Sequence, residues 1–418
     1  MSGLFLVFEV YILDIEKELL NYINSKSINK ERDMTDKLIS SGSIMLNLAC
    51  SDTYKGAFKP GRMVNLIGDS STGKTLIALS MFGDLHLNPQ FDDYIFIYDD
   101  VEQALEFDLA NLLGEECAER ILPPNLDKDD PVYSDTIQDF NVYMNELLKQ
   151  GKPFIYVLDS FDALTTVDEL EYVNKEVKHF KEGKSASTLT GTYGADKPKA
   201  MSRMLRTLVT KLSATESFLL IISQTRDNIG SSFSIVGQSK TRSGGRALKF
   251  YASHEIWLAK LNNIVKTVDS VEYIIGTRIR AKVTKNKLTG KVRTADMYVY
   301  YDYGVDDVAS CLDYLAATKC ITKKKGIITI PEDNPNLQFL RDLGLKDFKS
   351  IVEAIDRKEL WYDLFEACEK HWNSVEERLS LNRVNRFRRR GKKDTIEFTR
   401  EDPNNTNKTK SSDNKKEK

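Results

Sequence analysis

An eight-residue stretch rich in glycine and hydroxyl side chains, Gly68-Asp-Ser-Ser-Thr-Gly-Lys-Thr75, constrains the fold of this chain more than any other feature. It follows an apolar run of strand type, Met63–Ile67, and precedes a helix-like run, Leu76–Phe82. Strand, glycine loop and helix in this order form a phosphate loop, in which backbone N–H groups and the helix N-terminus surround a phosphate. The predicted nucleotide-binding residues are Gly68, Asp69, Ser70, Ser71, Thr72, Gly73, Lys74 and Thr75.

Two side chains of this loop have predicted roles of their own. Lys74 reaches the β- and γ-phosphates of a bound triphosphate, and the hydroxyl of Thr75 is placed to hold Mg²⁺. A chance glycine and serine turn is the alternative, and the match at all eight positions between a strand and a helix argues against it.

Between residues 36 and 304, apolar runs of strand length alternate with segments of helical length. This alternation is typical of a mostly parallel sheet with helices on both faces. We therefore predict an α/β fold, with a nucleotide-binding core whose central sheet is flanked by helices. The clearest predicted strands are Arg62–Ile67, Tyr94–Tyr98, Phe154–Leu158, Phe218–Ile222 and His254–Ala259.

The rest of the sequence divides into three shorter parts. Residues 1–35 begin with the apolar run Leu4–Leu13, which Glu9 interrupts and no basic residue precedes, so we predict an appended packing element and a linker rather than a signal peptide. Residues 305–380 combine short helical patterns with a hairpin-like segment and predict a small α+β C-terminal domain. Residues 381–418 carry a basic block and few apolar residues, which predicts a disordered tail.

Composition excludes several classes of protein. The 60 Lys and Arg residues nearly cancel the 62 Asp and Glu residues. No run approaches the ~20 apolar residues that a membrane span requires. The five cysteines are scattered without a Cys-x-x-Cys pair, which argues against a disulfide framework or a zinc site and favours a reducing compartment. We therefore expect a cytoplasmic protein with no membrane partner.

Two more of the predicted strands run into acidic residues, and parallel topology brings strand ends to the same edge as the phosphate loop. The third strand runs into Asp159, which we predict to hold Mg²⁺ together with Thr75; an acid that only caps a turn is the alternative. The second strand is followed by Asp99, Asp100 and Glu102. Each of these could orient an attacking water molecule, and their chemistry alone leaves the choice open.

The fourth predicted strand is followed by Gln224, which could contact the γ-phosphate, and then by a long Gly/Ser-rich segment, Thr225–Gly245. Basic charge and an aromatic residue on a flexible backbone suit single-stranded nucleic acid, although a solvated loop has a similar composition. The same two interpretations apply to the polar segment Lys178–Lys199. The predicted DNA-binding residues are Arg226, Phe233, Lys240, Arg242, Gly244, Gly245, Arg246, Lys197 and Lys199.

Together these motifs resemble the RecA-type recombinases of bacteria and their bacteriophage relatives, over about two-thirds of the chain. The segment Asp-Val-Glu-Gln-Ala-Leu after the second strand resembles the one that carries the family's catalytic glutamate, which points to Glu102. Leu158–Leu164 resembles the strand with the Mg²⁺ aspartate. Ile222–Arg226 resembles the strand whose glutamine, here Gln224, couples ATP to the second DNA-binding loop.

Two later segments extend the resemblance to subunit contacts. The segment with Lys249 and Phe250 resembles the end of that DNA-binding loop and the start of a subunit interface. The segment with Lys285 and Lys287 resembles the one whose two lysines reach the ATP of a neighbouring subunit. By the same resemblance, the apolar run near the N-terminus is an oligomerisation element.

The chain also departs from the family pattern. Asp69 replaces a common proline in the phosphate loop, a change that we expect to be tolerated. Leu109 stands where the family often stacks an aromatic ring on adenine, so Phe107 or another residue would serve. The first DNA-binding loop is matched only loosely, with Gly191–Lys199 as the candidate.

The resemblance implies a RecA-like core and a DNA-dependent ATPase that uses ATP and Mg²⁺. It further implies a helical filament on single-stranded DNA that promotes pairing and strand exchange with double-stranded DNA in recombination and repair, with mediator and single-strand-binding proteins as partners. A ring-forming helicase and a nucleotide-gated DNA-binding scaffold with weak hydrolysis are the alternatives. The implied catalytic residues are Glu102, Lys74 and Gln224, and those implied to bind ATP beside the loop are Asp159, Lys285 and Lys287.

Overall fold

A ten-stranded sheet lies at the centre of the part of the chain that the structure describes. The structure is a computed structural model and describes residues 37–181, 196–227, 240–242, 245–381 and 383. The predicted N-terminal element at 1–35 and nearly all of the predicted tail at 381–418 lie outside these ranges. The strands of the sheet are β1 (Met63–Gly68), β2 (Ile95–Asp100), β3 (Ile121–Leu122), β6 (Phe154–Asp159), β7 (Phe218–Asp227), β8 (Lys240–Arg242), β9 (His254–Val268), β10 (Val271–Asn286), β11 (Arg293–Tyr300) and β12 (Gly304–Asp306).

The order of the sheet is β12-β11-β10-β9-β1-β7-β6-β2-β3, with β8 paired to the end of β7. The six strands from β9 to β3 in this order pair in parallel, and β9 to β12 pair antiparallel. This confirms the predicted α/β fold with a mostly parallel sheet flanked by helices. The five predicted strands are present, and each begins within one residue of its predicted start.

Helices cover both faces of the sheet. One face packs against α5, α7 and α8, and the other packs against α1, α2, α9, α11 and α12. Within the described residues, no helix is both long and apolar enough to cross a membrane. The helices are α1 (Ile44–Ser51), α2 (Lys74–His86), α3 (Leu109–Leu113), α4 (Glu115–Arg120), α5 (Ile137–Gln150), α6 (Val167–Lys181), α7 (Asp196–Thr215), α8 (Gly245–Tyr251), α9 (Asp307–Ala317), α10 (Gln338–Asp342), α11 (Phe348–Arg357) and α12 (Trp361–Leu379).

Local sequence explains the bounds of these elements, as α5 illustrates. Thr136 and Asp139 form a reciprocal capping box, in which each side chain accepts a hydrogen bond from the other residue's backbone N–H, at 3.0 and 2.9 Å. The helix ends before Gly151, whose φ of 73° is costly for a residue with a side chain. Between these ends its buried residues recur at helical spacing and face the sheet.

The residues after β12 share an apolar cluster with the sheet. Side chains of α9, α11 and α12, among them Leu312, Ile355 and Leu364, pack in the same cluster as β10, β11 and α2. The described residues up to Asn373 form one compact unit, and a second unit begins at Ser374. Residues on both sides of the domain boundary predicted between 304 and 305 pack in this one cluster. The boundary itself stays a prediction. The structure also has two hairpins outside the sheet, β4 (Asn125–Asp127) with β5 (Asp130–Val132) and β13 (Thr322–Lys324) with β14 (Ile327–Thr329).

Three segments differ from the sequence-based expectation. The segment expected to be a loop from Thr225 begins as strand, because Thr225–Asp227 extend β7 and pair antiparallel with β8. The polar segment from Lys178 begins inside α6, whose acidic first turn and basic last turn suit the helix dipole. The strand predicted to end at Ala259 continues to Val268, because β10 pairs with it along its length.

We expect the C-terminal helices to unfold together with the sheet. Leu364 is fully buried in the shared cluster, so Leu364→Ala should lower the free energy of unfolding by ~2–5 kcal/mol and preserve a single transition. Tyr362→Ala on the same helix is the control, because Tyr362 is 69% exposed. Chemical denaturation followed by circular dichroism and tryptophan fluorescence measures both variants. Two separate transitions in the wild-type protein would contradict the shared core.

Candidate nucleotide site

The phosphate loop lies between β1 and α2 and is held in a tight turn. Ser71 and Gly73 adopt left-handed backbone conformations, with φ of 60° and 77°. The Thr72 hydroxyl donates to the carbonyl of Asp69 at 2.7 Å. A Cβ atom on Gly68 would lie 2.5 Å from that hydroxyl oxygen, so the turn requires glycine there. The loop leads into the N-terminus of α2, where backbone N–H groups favour an anion.

The ammonium of Lys74 lies inside this loop. Its Nζ donates to the carbonyls of Gly68 at 3.0 Å and Asp69 at 2.7 Å, and the residue is buried. Burial lowers the pKa of Lys74, and the carboxylates of Asp159 and Glu102 oppose that effect. An ammonium that donates to neutral carbonyl oxygens can exchange them for the oxygens of a phosphate bound in the same loop.

Asp159 ends β6 beside the loop, as its position after an apolar strand predicts. Its Oδ2 accepts hydrogen bonds from the Thr75 hydroxyl at 2.7 Å and from the Tyr98 hydroxyl at 2.6 Å. Burial raises the pKa of Asp159, and these two hydrogen bonds act in the opposite direction.

The hydroxyl and the carboxylate that meet here fit Mg²⁺. Both are hard oxygen donors, and Mg²⁺ is usually held by one or two such groups together with water and substrate phosphates. Within the described residues there is no cluster of three or more His, Cys, Asp and Glu side chains that could enclose a metal ion without a substrate. Thr75 and Asp159 are therefore suited to a cation that arrives with a nucleotide.

The acids that follow β2 lie in different environments. Asp99 is fully buried and accepts from the backbone N–H and hydroxyl of Ser134, at 2.9 and 2.7 Å, and from the Tyr156 hydroxyl at 2.6 Å. Burial raises its pKa, against the effect of these hydrogen bonds. Asp100 is also buried and accepts from the backbone N–H of Leu105 at 2.8 Å. Both carboxylates therefore stabilise the backbone of the segments that donate to them, at Ser134 and at Leu105.

Glu102 is the exposed member of this group, and it lies beside two other strand ends. Its Oε1 accepts from the Ser160 hydroxyl and from the Gln224 side-chain amide, the latter at 2.9 Å. The backbone N–H of Gln224 in turn donates to Asp162 at 2.5 Å. A carboxylate with fixed orientation and access to solvent can accept a proton from a water molecule beside a phosphate.

Comparison with known proteins decides the family. The RecA N-terminal domain model matches residues 8–306 of this chain. The chain belongs to the RecA family. Among its curated relatives, the RecA protein of Chlamydia trachomatis serovar A is 31% identical over 331 residues, which is 79% of this chain and 81% of that protein. The RecA protein of Clostridioides difficile strain 630 is 29% identical over 353 residues, or 83% of this chain and 90% of that protein.

A solved structure is also similar to this RecA family member. The crystal structure of the RadB recombinase aligns with a TM-score of 0.42 and 15% sequence identity, over 65% of this chain and 99% of that chain.

The basic residues predicted to bind DNA are placed only in part. Arg226, Lys240 and Arg242 lie on the two-stranded ribbon of β7 and β8, and Gly245 and Arg246 begin α8. Lys197 and Lys199 lie in the first turn of α7, where a loop had been expected. Phe233, Gly244 and most of the candidate first DNA-binding loop lie outside the described residues.

The residues predicted at subunit contacts lie together at the C-terminal end of α8. The Nζ of Lys285 donates to the carbonyls of Lys249 and Phe250, the latter at 3.0 Å. The Phe250 side chain is 72% exposed. The backbone N–H of Lys287 donates to Ser253 at 3.0 Å. The structure thus places Lys285 in contact with both predicted interface residues, whereas Lys287 is hydrogen-bonded to Ser253, three residues after Phe250.

The residue that would contact adenine stays open. Leu109 begins α3 and packs, partly buried, against the main apolar cluster, so its packing accounts for its position. Phe107 lies two residues before it and is 40% exposed.

Sequence reasoning missed three contacts of the site. Tyr98 supports Asp159, Ser160 supports Glu102, and Asp162 holds the backbone of Gln224. Each lies in or directly after a strand that ends at the site, and this position is the signal that could have identified them.

We expect the Asp99 cluster to stabilise the fold without taking part in nucleotide binding. Tyr156→Phe removes one hydrogen bond to a buried carboxylate and should lower the free energy of unfolding by ~1–3 kcal/mol. Binding of a fluorescent ATP analogue should stay as in the wild-type protein. Tyr362→Phe, on an exposed side chain, is the control. Unchanged stability in Tyr156→Phe would show that the Asp99 hydrogen bonds do not have this role.

Proposed function

We propose that this protein is a DNA-dependent ATPase and recombinase, which assembles on single-stranded DNA and promotes homologous pairing and strand exchange. Membership of the RecA family and relatives that are RecA proteins support this function. The observation that carries it is the hydrogen bond between Gln224 and Glu102. It joins a candidate water-orienting carboxylate to the strand that enters the predicted DNA-binding segment.

Hydrolysis would depend on positioning and charge. Glu102, oriented by Ser160 and Gln224, orients the attacking water and accepts its proton. Lys74 turns from the loop carbonyls to the β- and γ-phosphates of ATP. Thr75 and Asp159 would hold Mg²⁺, which would supply positive charge against the triphosphate.

DNA binding would be coupled to this chemistry through β7. Gln224 follows the buried part of the strand, which ends at Ser223, and the next three residues form the ribbon with β8. Arg226, Lys240, Arg242 and Arg246 supply positive charge for DNA phosphates, so affinity should fall steeply as salt concentration rises. ATP can shift the ribbon between two arrangements only to the extent that it binds one arrangement more tightly than the other.

Assembly would complete the site. The exposed Phe250 and the neighbouring Lys249 form part of the subunit interface, and Lys285 and Lys287 extend from this surface to the ATP of the next subunit. Repetition of such a head-to-tail contact produces a helical filament or a ring. Double-stranded DNA, mediator proteins and single-strand-binding proteins are the further partners of this proposed filament.

We expect Glu102→Gln to abolish ATP turnover while ATP binding persists, because the amide retains the hydrogen-bonding shape of the side chain but cannot accept a proton. Glu106→Gln, on the same segment and exposed, is the matched control and should leave turnover unchanged. Phosphate release with and without single-stranded DNA measures both. Turnover of Glu102→Gln within about tenfold of wild type would exclude Glu102 as the base, since general bases usually contribute 10²–10⁴-fold.

Assembly is tested by electron microscopy with single-stranded DNA, Mg²⁺ and a non-hydrolysable ATP analogue. We expect helical filaments for the wild-type protein and none for Lys74→Ala, because loss of the ammonium removes the response to nucleotide. Lys74→Ala should keep the wild-type circular dichroism spectrum and lose ATPase activity. Closed rings would favour the helicase alternative. Single particles at saturating nucleotide and DNA would overturn the proposed assembly.

A further inference from the structure

The phosphate loop has a second contact with the strand that leads to the predicted DNA-binding ribbon. The carboxylate of Asp69 accepts a hydrogen bond from the hydroxyl of Thr225. This contact follows from strand register: Gly68 at the end of β1 is paired with Gln224 in β7, so Asp69, the first residue after β1, lies beside Thr225, the next residue of β7. Asp69 is also the position at which the chain departs from the common proline of its family, and a proline could not accept this bond.

Asp69 is in contact with Lys74 as well. Lys74 Nζ lies 2.7 Å from the carbonyl oxygen of Asp69, and the Asp69 carboxylate is close enough to favour the charged form of Lys74. The ammonium, the Asp69 residue and the Thr225 hydroxyl therefore form one continuous set of contacts. A triphosphate that draws the ammonium to its own oxygens removes the first of these contacts and places negative charge beside the Asp69 carboxylate.

Thr225 carries the contact into the ribbon. It is the first residue of β7 that pairs with β8, opposite Arg242, and the pairing continues through Arg226 and Asp227. Thr225 therefore lies at the base of a ribbon that bears three of the predicted DNA-binding residues. The contact differs from the one made by Gln224, which reaches Glu102 after β2 and not the phosphate loop.

We propose that Asp69 and Thr225 form a positioning pair that reports occupancy of the phosphate loop to the DNA-binding ribbon, in parallel with Gln224. The proposal rests on the proposed function, since it assumes that ATP changes the affinity for DNA. Both residues act through others: Asp69 acts through Lys74, and Thr225 acts through the β7–β8 pairing. Neither is assigned a part in the bond-breaking step.

The test measures coupling and not activity alone. Dissociation constants for a fluorescent oligo-dT are measured with and without a saturating non-hydrolysable ATP analogue, and the ratio of the two constants is the coupling factor. Thr225→Val keeps the shape of the side chain and removes the hydroxyl, and Thr225→Ser restores the hydroxyl. We expect Thr225→Val to lower the coupling factor about fivefold or more, a share of the 5- to 150-fold range typical of coupled sites, and Thr225→Ser to retain it. Affinity for the nucleotide in the absence of DNA should stay unchanged in both.

Asp69→Ala tests the other partner of the bond. If the two side chains act as a pair, Asp69→Ala lowers the coupling factor to a similar extent, and the double variant Thr225→Val/Asp69→Ala lowers it no further. A wild-type coupling factor in Thr225→Val, or additive losses in the double variant, would overturn the pair. A coupling factor of one in the wild-type protein would instead refute the proposed function, so the two failures are distinguishable. Should Thr225→Val fail to bind the analogue, the comparison of Asp69→Ala with wild type decides.

Discussion

The alignment of parallel strand ends is the constraint on which the site depends. Gly68, the last residue of β1, is paired with Gln224 in β7, and Asp100 and Asp159, the last residues of β2 and β6, are paired with each other, so the polar residues of four adjacent strands lie toward the same edge of the sheet. Parallel pairing buries these strands on both faces and leaves their ends as the place where polar groups meet. The residues at these strand ends and in the loops that follow β1, β2 and β6 hydrogen-bond to one another through the carboxylates of Asp69, Glu102, Asp159 and Asp162.

The negative charge at this edge of the sheet explains why its carboxylates accept hydrogen bonds from so many nearby donors. The carboxylates of Asp69, Glu102, Asp159 and Asp162 all lie near enough to Lys74 to favour its charged form. One ammonium cannot neutralise four carboxylates, so hydroxyl donors from Thr75, Tyr98, Ser160 and Thr225 and the side-chain amide of Gln224 stabilise the remainder. A triphosphate adds further negative charge to the same place. Its binding must therefore bring in cations, from Mg²⁺ or from another subunit, or rearrange these donors.

Much of the fold could be predicted because strand burial and the phosphate loop are local properties of the sequence. The five strands and the loop are short apolar or glycine-rich runs, and each was recognisable without its neighbours. The roles of Asp99, Asp100 and Glu102 could not be predicted in this way, because they depend on contacts made in the folded chain. Asp99, for example, is held by Ser134 and Tyr156, which lie 35 and 57 residues from it in the sequence. From the residues alone the three acids are equivalent, and only the family resemblance favoured Glu102. The helical first turn around Lys197 was missed for a related reason, because a charged helix has the composition of a loop.

Two side-chain contacts join β7 to neighbouring segments, and they are made by the adjacent residues Gln224 and Thr225. The strand order places different neighbours on the two sides of β7, so Gln224 and Thr225 can reach different partners. Gln224 contacts the segment after β2, which lies two strands away on one side, and Thr225 contacts the loop after β1, the neighbour on the other side. The end of β7 is thus held from both sides in the plane of the sheet. In the proposed mechanism, a change in either segment displaces this part of β7, so the ribbon responds both to the phosphate loop and to Glu102, the proposed water-orienting carboxylate.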